Sequence, residues 1–183
     1  MYTPTLVTTP AELHQIAALS KENLRTGLLE EEKQSQGFIT WEYPFKLLQQ
    51  LHSIAPSVIV KYQEEVVGYA LTAFKESSKF QLEMVGMIDH LETLAFDGRP
   101  VKDYTYYIMG QVCIAKAHRG KGIFDMLYQY HQTVFQKQFE LVVTEISTSN
   151  HRSVQAHKKI GFQTINTYRD ALDEWDVVVW DWH

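Results

Sequence analysis

The segment from Val112 to Phe124 contains the residues whose types and spacing most clearly suggest chemistry. An apolar run of strand type ends at Ile114, a basic turn with Gly120 and Gly122 follows, and apolar residues at helical spacing begin at Ile123. Glycine tolerates a left-handed backbone and lets a ligand approach closely. The first N–H groups of a helix have no partner inside it and attract anions. The segment therefore predicts a loop that binds a phosphate or a pyrophosphate.

Two basic residues of this turn, Arg119 and Lys121, add positive charge to the predicted loop. The loop matches neither of two familiar nucleotide motifs. The dinucleotide fingerprint needs a third glycine where Asp125 stands, and the triphosphate loop G-x-x-x-x-G-K-[ST] is absent. Both motifs are therefore set aside.

A second segment, from Asn150 to Phe162, predicts a short helix. Ser149 or Asn150 can cap its start, and Gly161 suits the left-handed position after its end. Phe162 can then pack back on the last turn.

Together the two segments resemble those of the GNAT acyltransferase superfamily. The acetyl-CoA loop of that family, (Q/R)-x-x-G-x-(G/A), is matched by Ala117 to Gly122. Ala117 stands where Gln or Arg is usual, and Phe124 stands where a small residue is common. The family's N-x-x-(S/A)-x-x-x-(Y/H)-x-K-x-G-F segment is matched by Asn150 to Phe162.

The resemblance implies an acetyltransferase that uses acetyl-CoA as co-substrate and a primary amine as acceptor, by direct attack in a ternary complex. It also implies that the pantetheine arm lies between two splayed strands, which end near Ile114 and Ser147. Backbone groups of Cys113 and Ile114 would bind that arm, and the alternative is a plain buried strand. The residues expected to bind the cofactor are Val112, Cys113, Ile114, Arg119, Gly120, Lys121, Gly122, Ile123, Phe124, Asn150 and Ser153.

Two residues are candidates for acid–base catalysis. His157 occupies the position where many family members have a tyrosine that protonates the leaving thiolate, and imidazolium could donate that proton. The alternative is a histidine that only packs on a helix face. Glu145 is the best candidate for the general base. One alternative is that Glu145 is only a solvated surface residue. Another is a water-mediated route through Tyr106, Tyr107 or the Gln111 backbone.

Cys113 and Asn150 each allow two interpretations. Cys113 could form an acyl-cysteine, but a lone cysteine with apolar neighbours is more often a small core residue. Direct attack by the acceptor is therefore favoured. Asn150 resembles the family residue that contacts the pantetheine amides, and a simple helix cap explains it equally well.

The aromatic segment Phe38 to Tyr43 lies where the family places its variable acceptor-binding loop. Glu42 could meet a cationic amine there, and the alternative is an aromatic loop packed on the core. The acidic run Glu30 to Glu32 and a net charge of −5 favour a cation over an anion. The expected partner is a small-molecule or peptide amine, with a homodimer as one possible assembly.

The composition narrows the function classes. The net charge of −5 argues against a nonspecific nucleic-acid binder. Cys113 is the only cysteine, which excludes an internal disulfide and fits a reducing cytoplasm. No apolar run is long enough to span a membrane, and Met1 begins no signal-peptide pattern. No metal is expected, because ligand spacing is lacking among His131, His151, His157 and His183.

The order of elements predicts a single domain over residues 1–183. Its class is α+β (mixed α/β), with a mostly antiparallel sheet of about seven strands flanked by helices. The pattern predicts a first strand from Leu6, a helix from Pro10, a hairpin of Ser57–Tyr62 and Val66–Phe74, a helix over Phe80–Leu94, and a final strand pair.

The main alternative function is a non-catalytic acyl-CoA-binding or sensing module. It arises because Ala117 departs from the loop pattern and because the residues alone do not single out a base. An unrelated phosphate-binding regulatory domain is a further alternative.

Overall fold

The computed structural model describes residues 1–27, 29, 31 and 37–183. Glu30 and Glu32, which entered the charge argument, lie outside the described residues. Within the described part of the chain, the α-helices are α1 (Pro10–Glu22), α2 (Phe45–His52), α3 (Glu83–Leu91), α4 (Ile123–Phe135) and α5 (His151–Ile160). The strands there are β1 (Tyr2–Leu6), β2 (Val58–Tyr62), β3 (Glu65–Ala73), β4 (Ala95–Phe96), β5 (Arg99–Pro100), β6 (Tyr106–Ile114), β7 (Leu141–Ser147), β8 (Gln163–Arg169) and β9 (Glu174–Asp181).

One seven-stranded sheet runs through the domain in the order β1-β2-β3-β6-β7-β9-β8. Only the β6–β7 pair is parallel, and every other neighbouring pair is antiparallel. The predicted α+β class and mostly antiparallel sheet are confirmed. The small β4–β5 hairpin is separate from this sheet.

The parallel pair comes apart partway along its length. β6 and β7 pair only from Tyr106 opposite Leu141 to Ile108 opposite Val143. At the fork, the Thr144 hydroxyl donates to a β6 carbonyl at 2.8 Å. The predicted splay between the strands that end at Ile114 and Ser147 is therefore present.

A bulge in β6 lies just beyond this fork. Ala70 pairs with Val112 and Thr72 pairs with Met109, so β6 has one residue more than β3 over this stretch. The extra residue reverses the alternation of side chains. Met109 and Val112 both pack in the cluster beneath α4, whereas Cys113 packs in the cluster beneath α1 and α2.

Helices cover both faces of the sheet. Leu127 and Tyr128 of α4 pack against one face, and Ile16 of α1 and Leu48 of α2 pack against the other. Leu91 of α3 closes a third cluster over β6, β7 and β9. The ends of β6 and β7 are thereby fixed from both sides.

Two predicted boundaries are wrong. β1 ends at Leu6, where the sequence suggested that it begins, because its partner register with β2 runs from Tyr2 to Leu6. The predicted Phe80–Leu94 helix is shorter, since a 3₁₀ turn at Lys75–Lys79 precedes it and α3 spans only Glu83–Leu91.

Candidate active site

The loop between β6 and α4 has the backbone that its glycines predict. Gly120 and Gly122 adopt φ values of +73° and +75°, in the left-handed region. Gly122 is the N-cap of α4, and no side chain caps that helix start. No atom lies within 4 Å of a Cβ built on either glycine. The first amides of α4 therefore open onto space that an anion could fill.

Gly68 of β3 lets α4 sit close to the sheet. A Cβ at Gly68 would lie 2.8 Å from Cγ2 of Ile123, the first residue of α4. A larger residue would push the start of α4 and its free amides away from β6. Sequence reasoning missed this position, although a glycine inside a strand is the usual sign of close approach.

The backbone N–H and C=O groups at the end of β6 point alternately toward β3 and toward the splay. The Ala115 N–H donates to the Val67 carbonyl at 2.9 Å. In an antiparallel pair, every second residue is hydrogen-bonded to the neighbouring strand. The backbone N–H and C=O of Cys113, two residues before Ala115, therefore also face β3, whereas the backbone groups of Val112 and Ile114 face the splay. The expectation that Cys113 offers its backbone to a ligand is therefore wrong, and Val112 takes that place beside Ile114.

A cavity of about 360 Å³, the loop cavity, lies between the end of β6, the glycine loop and the starts of α4 and α5. Lys121 is exposed and lies outside this lining. The structure brings the other residues predicted for the cofactor together in its wall: Val112, Cys113, Ile114, Arg119, Gly120, Gly122, Ile123, Phe124, Asn150 and Ser153.

A second cavity of about 520 Å³, the splay cavity, lies on the other side of the fork. Both predicted catalytic residues, Glu145 and His157, belong to its lining. Wall residues common to the two cavities are Phe38, Ile39, Val112, Asn150 and Ser153. The two spaces therefore adjoin where β6 and β7 separate.

Glu145 sits in the splay cavity under a tyrosine. The Tyr168 hydroxyl donates to Glu145 Oε1 at 3.0 Å. Burial raises the pKa of Glu145 above its ordinary value, while the bond from Tyr168 and the nearby His90 oppose that rise. A carboxylate whose pKa is moved toward neutrality is better matched to proton transfer than a solvated one.

His157 is buried, with 2% of its surface exposed. Its Nδ1 lies 2.8 Å from the Ser153 carbonyl, so Nδ1 carries the proton and the Tyr128 hydroxyl donates to Nε2 at 2.6 Å. Burial lowers the pKa of His157 to about 4. The imidazole is then neutral at pH 7 with both nitrogens engaged, which disfavours its predicted role as the acid for the thiolate.

Asn150 joins α5 to the aromatic loop. Its Oδ1 accepts from the Ser153 N–H at 3.4 Å, and its Nδ2 donates to the Phe38 carbonyl at 2.8 Å. The helix-cap interpretation is confirmed. The same two bonds hold the loop across the boundary between the two cavities.

Comparison with known proteins decides the family. The sequence model of the GNAT family of acetyltransferases matches residues 14–162, most of the chain. The chain belongs to the GNAT acetyltransferase family. No curated protein sequence matches it.

Solved GNAT structures share the fold at low sequence identity. The ribosomal-protein-S18-alanine N-acetyltransferase from Escherichia coli is 10% identical, with a TM-score of 0.66 over 99% of this chain and 94% of that one. YncA from Salmonella typhimurium, solved with its cofactor acetyl-CoA, is 13% identical, with a TM-score of 0.64 over 100% and 94%. Ard1 from Thermoplasma volcanium is 13% identical, with a TM-score of 0.67 over 98% and 97%.

The aromatic loop of this GNAT protein is fastened to the bulge of β6. The Gln111 side chain donates to the Trp41 carbonyl at 2.8 Å, and the Tyr43 hydroxyl donates to the Gly110 carbonyl at 3.4 Å. The loop lines the splay cavity, but Glu42 is exposed and outside that lining. Of its two neighbours, Tyr43 is buried and Trp41 is 39% exposed. The structure therefore does not bring Glu42 into the cavity, and its contact with an amine stays a prediction.

Arg119 braces the glycine loop. Its Nε donates to the Ile114 carbonyl at 3.1 Å, and its guanidinium donates to Asn23 Oδ1 at 2.6 Å. The side chain therefore ties the loop to β6 and α1 as well as lining the loop cavity. The resemblance implied only that Arg119 binds the cofactor.

Cys113 is buried, and burial raises the pKa of its thiol to about 12. A thiol is a poor nucleophile until it loses its proton. We expect Cys113→Ala to keep most of the wild-type kcat, measured as CoA release under saturating substrates. Ping-pong kinetics, or an acetylated Cys113 found by mass spectrometry, would contradict this expectation.

Within the described residues, no helix is long and apolar enough to cross a membrane. In the same part of the chain, no group of three or more His, Cys, Asp or Glu side chains could hold a metal ion. The homodimer and the cytoplasmic location stay predictions.

Proposed function

We propose that this protein transfers the acetyl group of acetyl-CoA to a primary amine by direct attack in a ternary complex. The observation that carries this proposal is the junction of the two cavities. The glycine loop lies at one end, the fork of β6 and β7 lies in the middle, and the carboxylate of Glu145 lies beyond it.

The residues of the loop cavity fit acetyl-CoA. The left-handed Gly120 and Gly122 leave room for a pyrophosphate against the first amides of α4. The backbone groups of Val112 and Ile114, which face the splay, suit an extended amide-bearing arm. Bound acetyl-CoA supplies an activated thioester.

Glu145 is the group placed to take a proton from the acceptor. The amine nitrogen forms a bond to the acetyl carbon, the carbon–sulfur bond breaks, and the sulfur leaves with the electron pair of that bond. Glu145 accepts the proton lost by the nitrogen and passes it to solvent, and the thiolate takes a proton from solvent water to give CoA. An N–H from the splayed end of β6 can stabilise negative charge on the acetyl oxygen.

The charge of the splay cavity supports an amine as acceptor. Carboxylates of Glu83, Glu145 and Asp170 belong to its described lining, and that lining contains neither Lys nor Arg. An ammonium ion is attracted to such a wall, and an anion is repelled.

CoA release from acetyl-CoA with a panel of amines tests this function. Amine-dependent release supports the enzyme. Tight acetyl-CoA binding without release by any amine would support the alternative of a binding module. Release only with hydroxyl acceptors would overturn the amine class.

Glu145→Gln should lower kcat by at least about 100-fold and flatten the rise of rate with pH, because the titrating base is lost and only the acceptor amine still titrates. Tyr168→Phe is the matched variant. It removes a hydrogen bond that lowers the pKa of Glu145, so the rise should remain and move to higher pH. The measurement is the pH profile of kcat/KM. An unaltered profile in Glu145→Gln would exclude Glu145 as the base.

A further inference from the structure

Most side-chain hydrogen-bond donors in the wall of the splay cavity are engaged within the protein. Among the described residues, the exceptions to this pairing include two buried polar atoms without a partner, the donor Nε1 of Trp175 and the acceptor Oε1 of Gln81. Side chains from the loop, the strands and the turn before α3 each already donate to a protein acceptor. The pairs are Tyr168 to Glu145 at 3.0 Å, Thr144 to Met109 at 2.8 Å, Gln111 to Trp41 at 2.8 Å, Asn150 to Phe38 at 2.8 Å, Ser147 to Asp173 at 2.8 Å and Gln81 to Tyr43 at 3.3 Å. Hydroxyl or carbonyl groups of an acceptor would find few partners here, and unpaired polar groups are costly to bury.

The rest of the wall is apolar and continues outward to an exposed rim. Inside the cavity it includes Met84, Met87, Ile108 and Trp175. At the opening, Trp41 is 39% exposed and Leu172 is 58% exposed. Large exposed apolar side chains gathered around a cavity mark a surface that binds an apolar group.

Leu82 extends this rim from the start of α3. Glu83, Gly86, Met87 and His90 of α3 face the cavity. Leu82 precedes the helix with helical dihedral angles, so it lies about 40° around the axis from Gly86. Its side chain is 77% exposed, beside the cavity face of the helix.

The described part of the wall carries three carboxylates, of Glu83, Glu145 and Asp170. Glu83 is exposed on α3, where water and salt screen its charge. Asp170 already accepts the amides of Leu172 and Asp173 at 2.8 and 2.9 Å, within its own turn. Glu145 lies deeper, where the transfer would occur. A carboxylate or phosphate on the acceptor would meet carboxylates and no described Lys or Arg in this lining.

From these observations we infer that the acceptor is a small monoamine with an apolar body, an alkylamine or arylalkylamine. This inference rests on the proposed function. The amine faces Glu145, and the apolar body lies along the methionine and tryptophan side chains toward Leu172 and Leu82. Amino acids, aminoglycosides, polyamines and peptide N-termini carry polar or charged groups that this wall does not satisfy.

A homologous series of amines tests the inference. From propylamine to hexylamine only the apolar length changes, and kcat/KM should rise by up to about fourfold for each methylene buried. Hexamethylenediamine and ε-aminocaproate have the length of hexylamine with a charge at the far end. Both should have a kcat/KM at least about tenfold lower than hexylamine. A flat series, or faster transfer to the diamine or to a peptide N-terminus, would overturn the inference.

Variants of the exposed rim residues test where the apolar body of the acceptor lies. Leu172→Ser and Leu82→Ser should lower kcat/KM for hexylamine and leave that for propylamine unchanged. Val85→Ser is the control, because Val85 is also exposed, at 42%, but lies farther from the cavity face of α3. An equal loss for both amines, or an effect only in Val85→Ser, would contradict this placement.

Calorimetry separates this inference from the proposed function. Binding of hexylamine and propylamine to the CoA-saturated protein needs no turnover. Tighter binding of hexylamine supports the apolar acceptor even if no amine releases CoA, a result that would overturn the proposed transferase. Transfer to polyamines or peptides alone would overturn the inference and leave the transferase standing.

Discussion

Gly122→Glu is expected to lower the affinity for acetyl-CoA by about 100-fold or more, which corresponds to about 3 kcal/mol. Gly122 caps α4 at a φ of +75° with open space above it. A carboxylate at this point would occupy the helix start that is proposed to hold the pyrophosphate, and it would repel that group. Isothermal titration calorimetry of the purified variant with acetyl-CoA measures the loss.

Gly98→Glu is the matched control for this experiment. Gly98 has a φ of +76°, no atom lies within 4 Å of a Cβ built on it, and it lies outside the linings of both cavities. Both variants therefore carry the same backbone strain and the same added charge. If Gly122→Glu folds with the stability of Gly98→Glu and binds acetyl-CoA as the wild type does, the loop does not hold the cofactor.

Much of the loop and of the fold could be predicted because their signals are local. Gly120 and Gly122 adopt the left-handed backbone that only glycine takes up easily. Thr9 and Glu12 form the capping box that begins α1, and Gly161 ends α5 in a left-handed conformation. Each of these depends on a few consecutive residues, and sequence spacing reports such features well.

The remaining features depend on what packs against a residue from elsewhere in the chain. The bulge of β6 reverses the alternation of side chains after Met109. A regular two-residue alternation along the strand therefore does not predict that Cys113 faces α1. Glu42 lies in the aromatic loop between Trp41 and Tyr43, which are bonded to Gln111 and Gly110, yet Glu42 itself lies outside the cavity lining. Burial lowers the pKa of His157, and part of the packing around it comes from Tyr128, which lies 29 residues away in sequence.

Two buried histidines should make the fold sensitive to acid. Burial lowers the pKa of His131 to about 3 and that of His157 to about 4, against an ordinary value of 6.5. At pH values between these lowered pKa values and 6.5, the two histidines bind protons in the unfolded chain but not in the folded protein. Stability is therefore full above pH 6.5 and falls as the pH drops. Each histidine should lower the free energy of unfolding by about 2 kcal/mol when the pH falls from 7 to 5.

His157→Phe isolates the contribution of one of these groups. The variant leaves the Tyr128 hydroxyl without its partner, so it should be less stable than the wild type at pH 7. The difference in unfolding free energy between the two proteins should then shrink by about 2 kcal/mol from pH 7 to pH 5, since the variant lacks the titrating imidazole. Urea unfolding at several pH values measures this, with His151→Phe as control because the His151 side chain is exposed.

The same variant decides what His157 does in the reaction. If the difference shrinks as expected and kcat changes little, the imidazole is a neutral packing group that holds Tyr128 and α5 in place. If the pH dependence of stability is unchanged, the folded imidazole takes up its proton as the unfolded one does. A fall in kcat of about 100-fold would then restore His157 as the acid for the leaving thiolate. Because stability and kcat are measured on the same variant, a structural defect and a lost proton donor can be told apart.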